Sequence, residues 1–494
     1  MKRIGKILLI GVLVIVVALV LLVSVLAINT TRLTSKQMEV EPPSAVTLNS
    51  QEIAEHLAGA IQFQTITYRD AALIEDEEFI GLHEYLEQAF PLVHATLGKE
   101  VVGDCSLLYT WQGQDEGLKP ILLTAHMDVV PIEPGTEGDW IYPPFEGRIA
   151  EGYIWGRGAL DDKASVLAIL EAVETLLEEG VQPRRTIYFA FGEDEEIGGQ
   201  EGAAQIADLL QSRGVELEYV LDEGMPIMVD SFPGLPRIAM LGIAEKGYVS
   251  LELIAKGEGG HSAYPPEHTA VGVLSAAITK LEENPFPAKL EGPARQMFVE
   301  YLAPEMSSGM KMMFGNPWFF EGVIKSILTA YPEPSAWLRT TTAATMFEGS
   351  VQDNVVPARA RAVVNFRILP GESIDSVIEH VRQTIDDPQV QIKPLEQEIS
   401  EPSFVSDTNS PNFETLQRTV HQAFPEALVT PGLVFVATDT RHYLELSDNV
   451  YRFTPILAQP EDTSGIHGTN ERIPIESYEQ AVRFYIQLIR NSAL

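Results

Sequence analysis

The stretch Ile121-Leu122-Leu123-Thr124-Ala125-His126-Met127-Asp128 decides how this chain is read. Its apolar residues suit a parallel strand covered on both faces, and the run ends abruptly in a histidine and an aspartate. Open α/β sheets place their chemistry at the carboxyl ends of such strands. Alone, His-x-Asp is weak, because many strand-end histidines only cap a loop. Further segments add weight to it. Thr186-Ile187-Tyr188-Phe189-Ala190-Phe191 runs into Gly192-Glu193-Asp194-Glu195-Glu196-Ile197-Gly198-Gly199, and Tyr219-Val220-Leu221 runs into Asp222-Glu223-Gly224. Both read as strand, then carboxylates. Gly156-Arg157-Gly158-Ala159-Leu160-Asp161-Asp162-Lys163 leads into a helix over 164–179, where Val166, Ile169, Leu170, Val173, Leu176 and Leu177 recur at helical spacing before Gly180. Asp161 therefore precedes a helix amino terminus, a place where capping alone favours aspartate. Far downstream, Gly465-Ile466-His467-Gly468-Thr469-Asn470-Glu471 brings a second histidine.

Carboxylates crowded in this way repel unless a cation compensates them. Imidazole mixed with carboxylate suits zinc, at about 2.0–2.2 Å. The set His126, Asp161, Glu196, Glu223 and His467 offers two ligands per ion and one bridging carboxylate. That composition suggests a two-metal centre with ions about 3.5–4 Å apart. Glu195, next to a ligand but pointing elsewhere, is left to act as general base.

These motifs, together with Gly260-His261-Ser262, occur in the order found in the M20 peptidases. After about residue 45 nearly all of the chain resembles the aminoacylase/carboxypeptidase S branch of that family. The resemblance implies an α/β fold: a zinc-peptidase catalytic domain with a central mixed sheet flanked by helices, plus an inserted α+β two-layer lid. It implies two Zn2+ per subunit, one on His126 and Glu223, the other on Glu196 and His467, with Asp161 bridging. Asp128 would orient His126, and Glu195 would take the proton. Relatives differ in using aspartate or glutamate at the fourth motif, and Glu223 rather than Asp222 is the expected ligand. His261 would reach the scissile carbonyl, in many relatives from the neighbouring subunit, and Asn354 would assist it. On a neutral reading both are turn residues. Arg367 and Arg441 would hold a substrate carboxylate through a bidentate guanidinium; otherwise they are surface ion-pair partners. The resemblance also allows a homodimer through the lid.

The 494 residues, 45% of them hydrophobic, can bury a large core and suggest two domains. A net charge of −36 argues against a nucleic-acid partner. Cys105 is the single cysteine, so no internal disulfide forms. Residues 7–28 are an uninterrupted apolar segment of 22, after Lys2, Arg3 and Lys6. A spanning helix needs about 20 such residues, whereas a signal's apolar region has about 7–15. Length therefore favours a single-pass anchor over 1–28 with the enzyme body outside, extracellular or periplasmic. A cleavable signal ending near Ala27, giving a secreted protein, is the alternative. Residues 29–48 read as a polar linker, 49–245 as the first part of the catalytic domain, 246–398 as the lid and 399–494 as the second catalytic part. In the lid, strands are expected over 248–255 and 360–368 and helices over 268–283 and 373–385.

Within the lid, a long insertion over 285–347 is rich in Met306, Met310, Met312, Met313, Phe314, Trp318, Phe319, Phe320 and Trp337. Ordinary helix packing accounts for most of these, though flexible methionines also suit varied apolar ligands. Asn316-Pro317-Trp318 and the block 339–345 resemble the carboxypeptidase S branch, which includes secreted enzymes acting on N-fatty-acyl amino acids. The expectation is a di-zinc hydrolase that cleaves the amide bond of N-acyl amino acids, small molecules with a free carboxylate. The alternatives are a carboxypeptidase on short peptides and an inactive ligand-binding ectodomain.

Overall fold

The computed structural model describes residues 2–494 except Pro233 and 396–398, so the expected lid boundary at residue 398 lies outside the described residues. All six residues of the Ile121–His126 strand are buried. It lies between Ile187–Gly192 and Val220–Asp222, parallel to both. Alternate side chains serve opposite faces, as the strand period requires. Ile121 and Leu123 join the core under the helices Lys163–Glu178 and Ile475–Ala493, while Leu122 faces Ile206 and Leu210 of Ala203–Ser212. Truncating Leu123 to alanine would cost about 2–5 kcal/mol.

Among the described residues this sheet has ten strands and is mixed. Gly98–Val102 and Ser106–Trp111 extend it antiparallel beyond Ile187–Gly192. On the other side follow Val450–Arg452, Leu235–Glu245 and Ile227–Phe232, and Leu428–Val434 pairs in parallel with Leu235–Glu245. The three parallel strands at its centre all end toward one edge, where the charged motifs begin.

The second layer system is smaller. Thr341–Glu348, Arg359–Ile368, Gly247–Lys256 and Val390–Pro394 form a four-stranded sheet with every neighbour antiparallel. Helices Ala270–Glu283 and Ile374–Ile385 cover one face, packing Leu274, Val377 and Val381 on Leu251, Leu253 and Phe366. Each helix starts at a hydroxyl cap, Thr269 or Ser373. The first and last passes between this unit and the main sheet run side by side: Tyr248 N donates to Ser400 O at 2.8 Å and Ser400 N to Tyr248 O at 3.0 Å. A Cβ on Gly247 would sit 2.6 Å from both Ser400 O and Pro402 N, so glycine is what lets the passes touch.

The insertion does not join the lid core. Phe298, Phe314, Ile324 and Trp337 pack against Ile238, Met240 and Leu433 of the main sheet. At the amino end, Lys2–Thr31 is one helix. Its Lys6–Thr31 part has a mean hydropathy of 3.5 in its most apolar window, none of which is buried. The coil after it carries no regular structure but is strapped to the body. Gln37 exchanges two hydrogen bonds with the Val429 backbone, at 2.7 and 3.0 Å, and Arg483 reaches Val46 O at 2.7 Å.

Candidate active site

His126 closes its strand, and its ring is fixed from behind. Nδ1 lies 3.1 Å from the Asp128 carbonyl and 3.3 Å from Asp128 Oδ1, which leaves Nε2 aimed forward. There it stands 3.0 Å from Asp161 Oδ1 and 3.7 Å from Glu223 Oε1. His467 Nε2 approaches the other side of the same carboxylate, 3.1 Å from Asp161 Oδ2 and 3.1 Å from Glu196 Oε2. The structure thus brings together two trios that share Asp161: His126, Asp161, Glu223 and Asp161, Glu196, His467. Within each, the ligand atoms lie within 4.8 Å of one another. His467 is held at φ +57°, a left-handed backbone that non-glycine residues adopt rarely.

Asp128 is fully buried and takes three further hydrogen bonds, from the backbone N–H groups of Glu195 and Glu196, each at 3.1 Å, and from Thr67 Oγ1 at 2.7 Å. Asp222 turns away from the trios: it accepts the Thr440 N–H at 3.1 Å and the Glu223 N–H at 2.9 Å.

The electrostatics are those of an anionic cluster. Burial, reinforced by Asp439, Glu196 and Asp128, pushes the Glu195 carboxyl well above the usual range. Burial, then Asp161 and Asp162, does the same to Glu223. For Asp161 burial opposes ionisation, yet hydrogen bonds from His126 and His467 overcome it and keep the carboxylate charged. His467 is raised to about 10 by its hydrogen bonds to Asp161 and Glu196. Imidazole nitrogens and carboxylate oxygens converging on two points, with one carboxylate between them, form a donor set suited to two divalent cations.

The chain matches the peptidase family M20/M25/M40 over residues 122–491. It belongs to that family. As an M20 member it is a hydrolase, in a family of metal-dependent peptidases. It is 43% identical to the probable carboxypeptidase S-like 2 of Dictyostelium discoideum over 478 residues, 94% of this chain and 91% of that protein. It is 39% identical to an N-fatty-acyl-amino acid synthase/hydrolase of Danio rerio over 449 residues, 90% and 86% of the two chains. The fold is that of the M20 metallo-carboxypeptidase Sso-CP2 from Sulfolobus solfataricus, with a TM-score of 0.64 at 19% identity, covering 89% of this chain and 98% of that one.

In this M20 hydrolase the trios open onto a cavity of about 790 Å³. Glu195, Arg367 and Arg441 line it, as do the apolar Met225, Met228, Val229 and Val436. Arg367, on the lid sheet, stacks 4.5 Å from the Tyr248 ring centre and reaches Phe435 O at 3.5 Å. His261 and Asn354 lie elsewhere. They meet at an exposed two-stranded ribbon of the lid, where Ser262 N donates to Asn354 O at 3.1 Å, and neither lines the cavity of its own chain.

Two positioning groups escaped the sequence reading. Glu471 is buried and accepts the N–H groups of Gly158, Leu160 and Asp161 at 2.8–3.2 Å, plus Arg157 Nη1 at 2.6 Å. It therefore fixes the loop that presents Asp161. Its place at the end of the His467 motif was the available signal. Glu245 accepts the Thr438 N–H at 3.2 Å and Arg452 Nε at 3.0 Å, holding the turn that carries Arg441; nothing in its local sequence marked it.

Proposed function

We propose that this enzyme hydrolyses the amide bond of N-acyl amino acids, with fatty acyl groups preferred, using two zinc ions. His126 and Glu223 would hold one ion, Glu196 and His467 the other, and Asp161 would bridge them. The observation that carries this reading is Asp161 itself, faced by a histidine nitrogen at 3.0 Å on one oxygen and 3.1 Å on the other. When bound, such ions polarise the amide carbonyl and lower the pKa of the attacking water.

The chain's own residues supply the rest. Glu195, in the cavity wall, takes the proton from the attacking water and later gives it to the leaving amine. Its place in the cavity wall, next in sequence to the ligand Glu196, puts it within reach of both the water and the amine. Asp128 keeps His126 in the tautomer that presents Nε2. Arg367 and Arg441 bind the substrate carboxylate, and Met225, Met228, Val229 and Val436 receive the acyl chain. His261 and Asn354, exposed on the lid, serve a second subunit's carbonyl in a homodimer. The apolar amino-terminal helix acts as a single-pass anchor with the catalytic body outside the cell or in the periplasm; its cleavage would release the enzyme.

The second reading is a carboxypeptidase on short peptides, favoured by the identity to a protein named as carboxypeptidase S-like. Measuring kcat/KM on zinc-loaded protein for N-acyl amino acids from acetyl to oleoyl, beside dipeptides, separates the two. Fatty-acyl preference supports the proposal, since each buried CH₂ is worth about 0.8 kcal/mol. A flat profile, or one led by dipeptides, assigns the peptidase.

A further inference from the structure

The amino-terminal helix ends against the insertion, and the joint is built from one buried side chain. Asn316 Nδ2 lies 3.2 Å from Leu26 O, 3.2 Å from Thr30 Oγ1 and 2.8 Å from Met312 O. Its Oδ1 accepts from Asn29 Nδ2 at 3.1 Å and from Trp318 Nε1 at 3.2 Å. Leu33 packs so closely on Gly315 that a Cβ there would meet it at 2.3 Å. The last turn of the apolar helix and the start of Pro317–Leu328 are therefore one rigid corner.

Pro317–Leu328 leaves that corner with two apolar faces, not one. Ile324 and Leu328 are buried against the main sheet, with Phe320 half-buried beside them. Phe319, Val323 and Ile327, each four residues from the next, form a second stripe that is 48%, 50% and 41% exposed. Trp318 at one end and Tyr331 just beyond the other are 58% and 65% exposed. A contiguous exposed stripe of this kind marks a partner surface. Its composition, apolar residues bracketed by Trp and Tyr, is that of a membrane interface. At this corner Arg32, Lys36 and Arg295 line a groove with Trp318, alongside Glu300 and Glu321, with Glu300 paired to Lys36 at 3.1 Å and to Arg295 at 3.8 Å.

We propose that Pro317–Leu328 is an interfacial helix, seated in the headgroup layer of the same bilayer that the amino-terminal helix spans, with Trp318, Phe319, Val323 and Ile327 toward the acyl chains. The occupant is lipid because the stripe is continuous, through Asn316, with the apolar helix itself. The inference rests on reading that helix as an anchor. It adds a geometric consequence. The segment after the stripe carries Glu333, which lines the catalytic cavity, so the cavity wall and the bilayer surface belong to one piece of structure.

The test uses the full chain reconstituted in phosphatidylcholine vesicles with either ordinary or brominated acyl chains, bromine being a short-range quencher of tryptophan emission. The Trp318 signal is the difference between the parent protein and Trp318→Phe. Val14→Trp, placed in the Trp318→Phe chain, reports the anchor in the same way. The expected result is loss of most of both signals in brominated vesicles. Quenching at position 14 with none at Trp318 keeps the anchor and overturns the interfacial helix. Quenching at neither site removes the anchor reading and this inference together. Quenching at Trp318 alone overturns the joint arrangement, because lipid would then reach the stripe without a spanning helix.

Discussion

The backbone N–H of Glu195 donates to Asp128 Oδ1 at 3.1 Å, and through that bond the strand bearing His126 and the turn bearing the acids are locked in register. Glu195 therefore owes its position to its main chain, and its side chain lines the cavity. Glu195→Gln should retain zinc and lose about 10²–10⁴-fold in kcat. Metal analysis beside steady-state rates checks this; near parental kcat would remove Glu195 from the mechanism.

Asp161→Asn should lose metal content and activity in parallel, because a neutral amide cannot balance two cations as a carboxylate does. If Asp161 were only a helix-start residue, the variant would hold a full zinc complement and drop in stability by about 1 kcal/mol. Zinc quantified after dialysis, with a denaturation curve on the same sample, tells these apart.

Glu471→Ala should destabilise the fold by about 3–5 kcal/mol, since it strands the buried Arg157 guanidinium beside three amides that lose their acceptor. Weaker zinc retention should accompany it, as the Asp161 loop loses its anchor. Urea titration measures the first effect and chelator competition the second. A variant as stable as the parent would show that other contacts hold this loop.

In the zinc-free protein His467 titrates at about 10 against an ordinary 6.5. A pKa raised on folding contributes stability that is complete below 6.5 and disappears as the pH climbs through about 10. The chelated protein should therefore lose Tm across that window. Zinc affinity should run the other way, rising with pH as the imidazoles give up their protons. Thermal melts and zinc titrations at matched pH values test both signs. A zinc-free Tm that is flat or rising across the window contradicts the assignment.

Much of the site was legible because its chemistry is local to strand ends. The apolar runs before His126, Glu195 and Asp222 are dense enough to be recognised as buried strands, and parallel pairing then forces their termini together. The lid was legible for a similar reason: its half-exposed strands alternate, and its two helices start at hydroxyl caps. What sequence alone did not give were partnerships across long separations. The Glu471 hold on Asp161 spans 310 residues and Asn316 on Leu26 spans 290, and neither leaves a periodic trace. The insertion was placed within the lid by chain order, but its aromatics found their complement on the main sheet.

The paired passes at Tyr248 and Ser400 set what the lid is able to do. Two separated connections would each need their own dihedral changes, coordinated with one another. Joined as a short ladder, the first and last passes form one seam, and the entry and exit of the insertion, tied by Lys289 N donating to Leu338 O at 2.7 Å, form a second; sliding of the lid is resisted by both and by Gly247 pressed on Ser400. Arg367 turns with the lid while Arg441 stays with the sheet. The seating of the lid on these seams therefore sets the gap between the two guanidiniums that line the cavity.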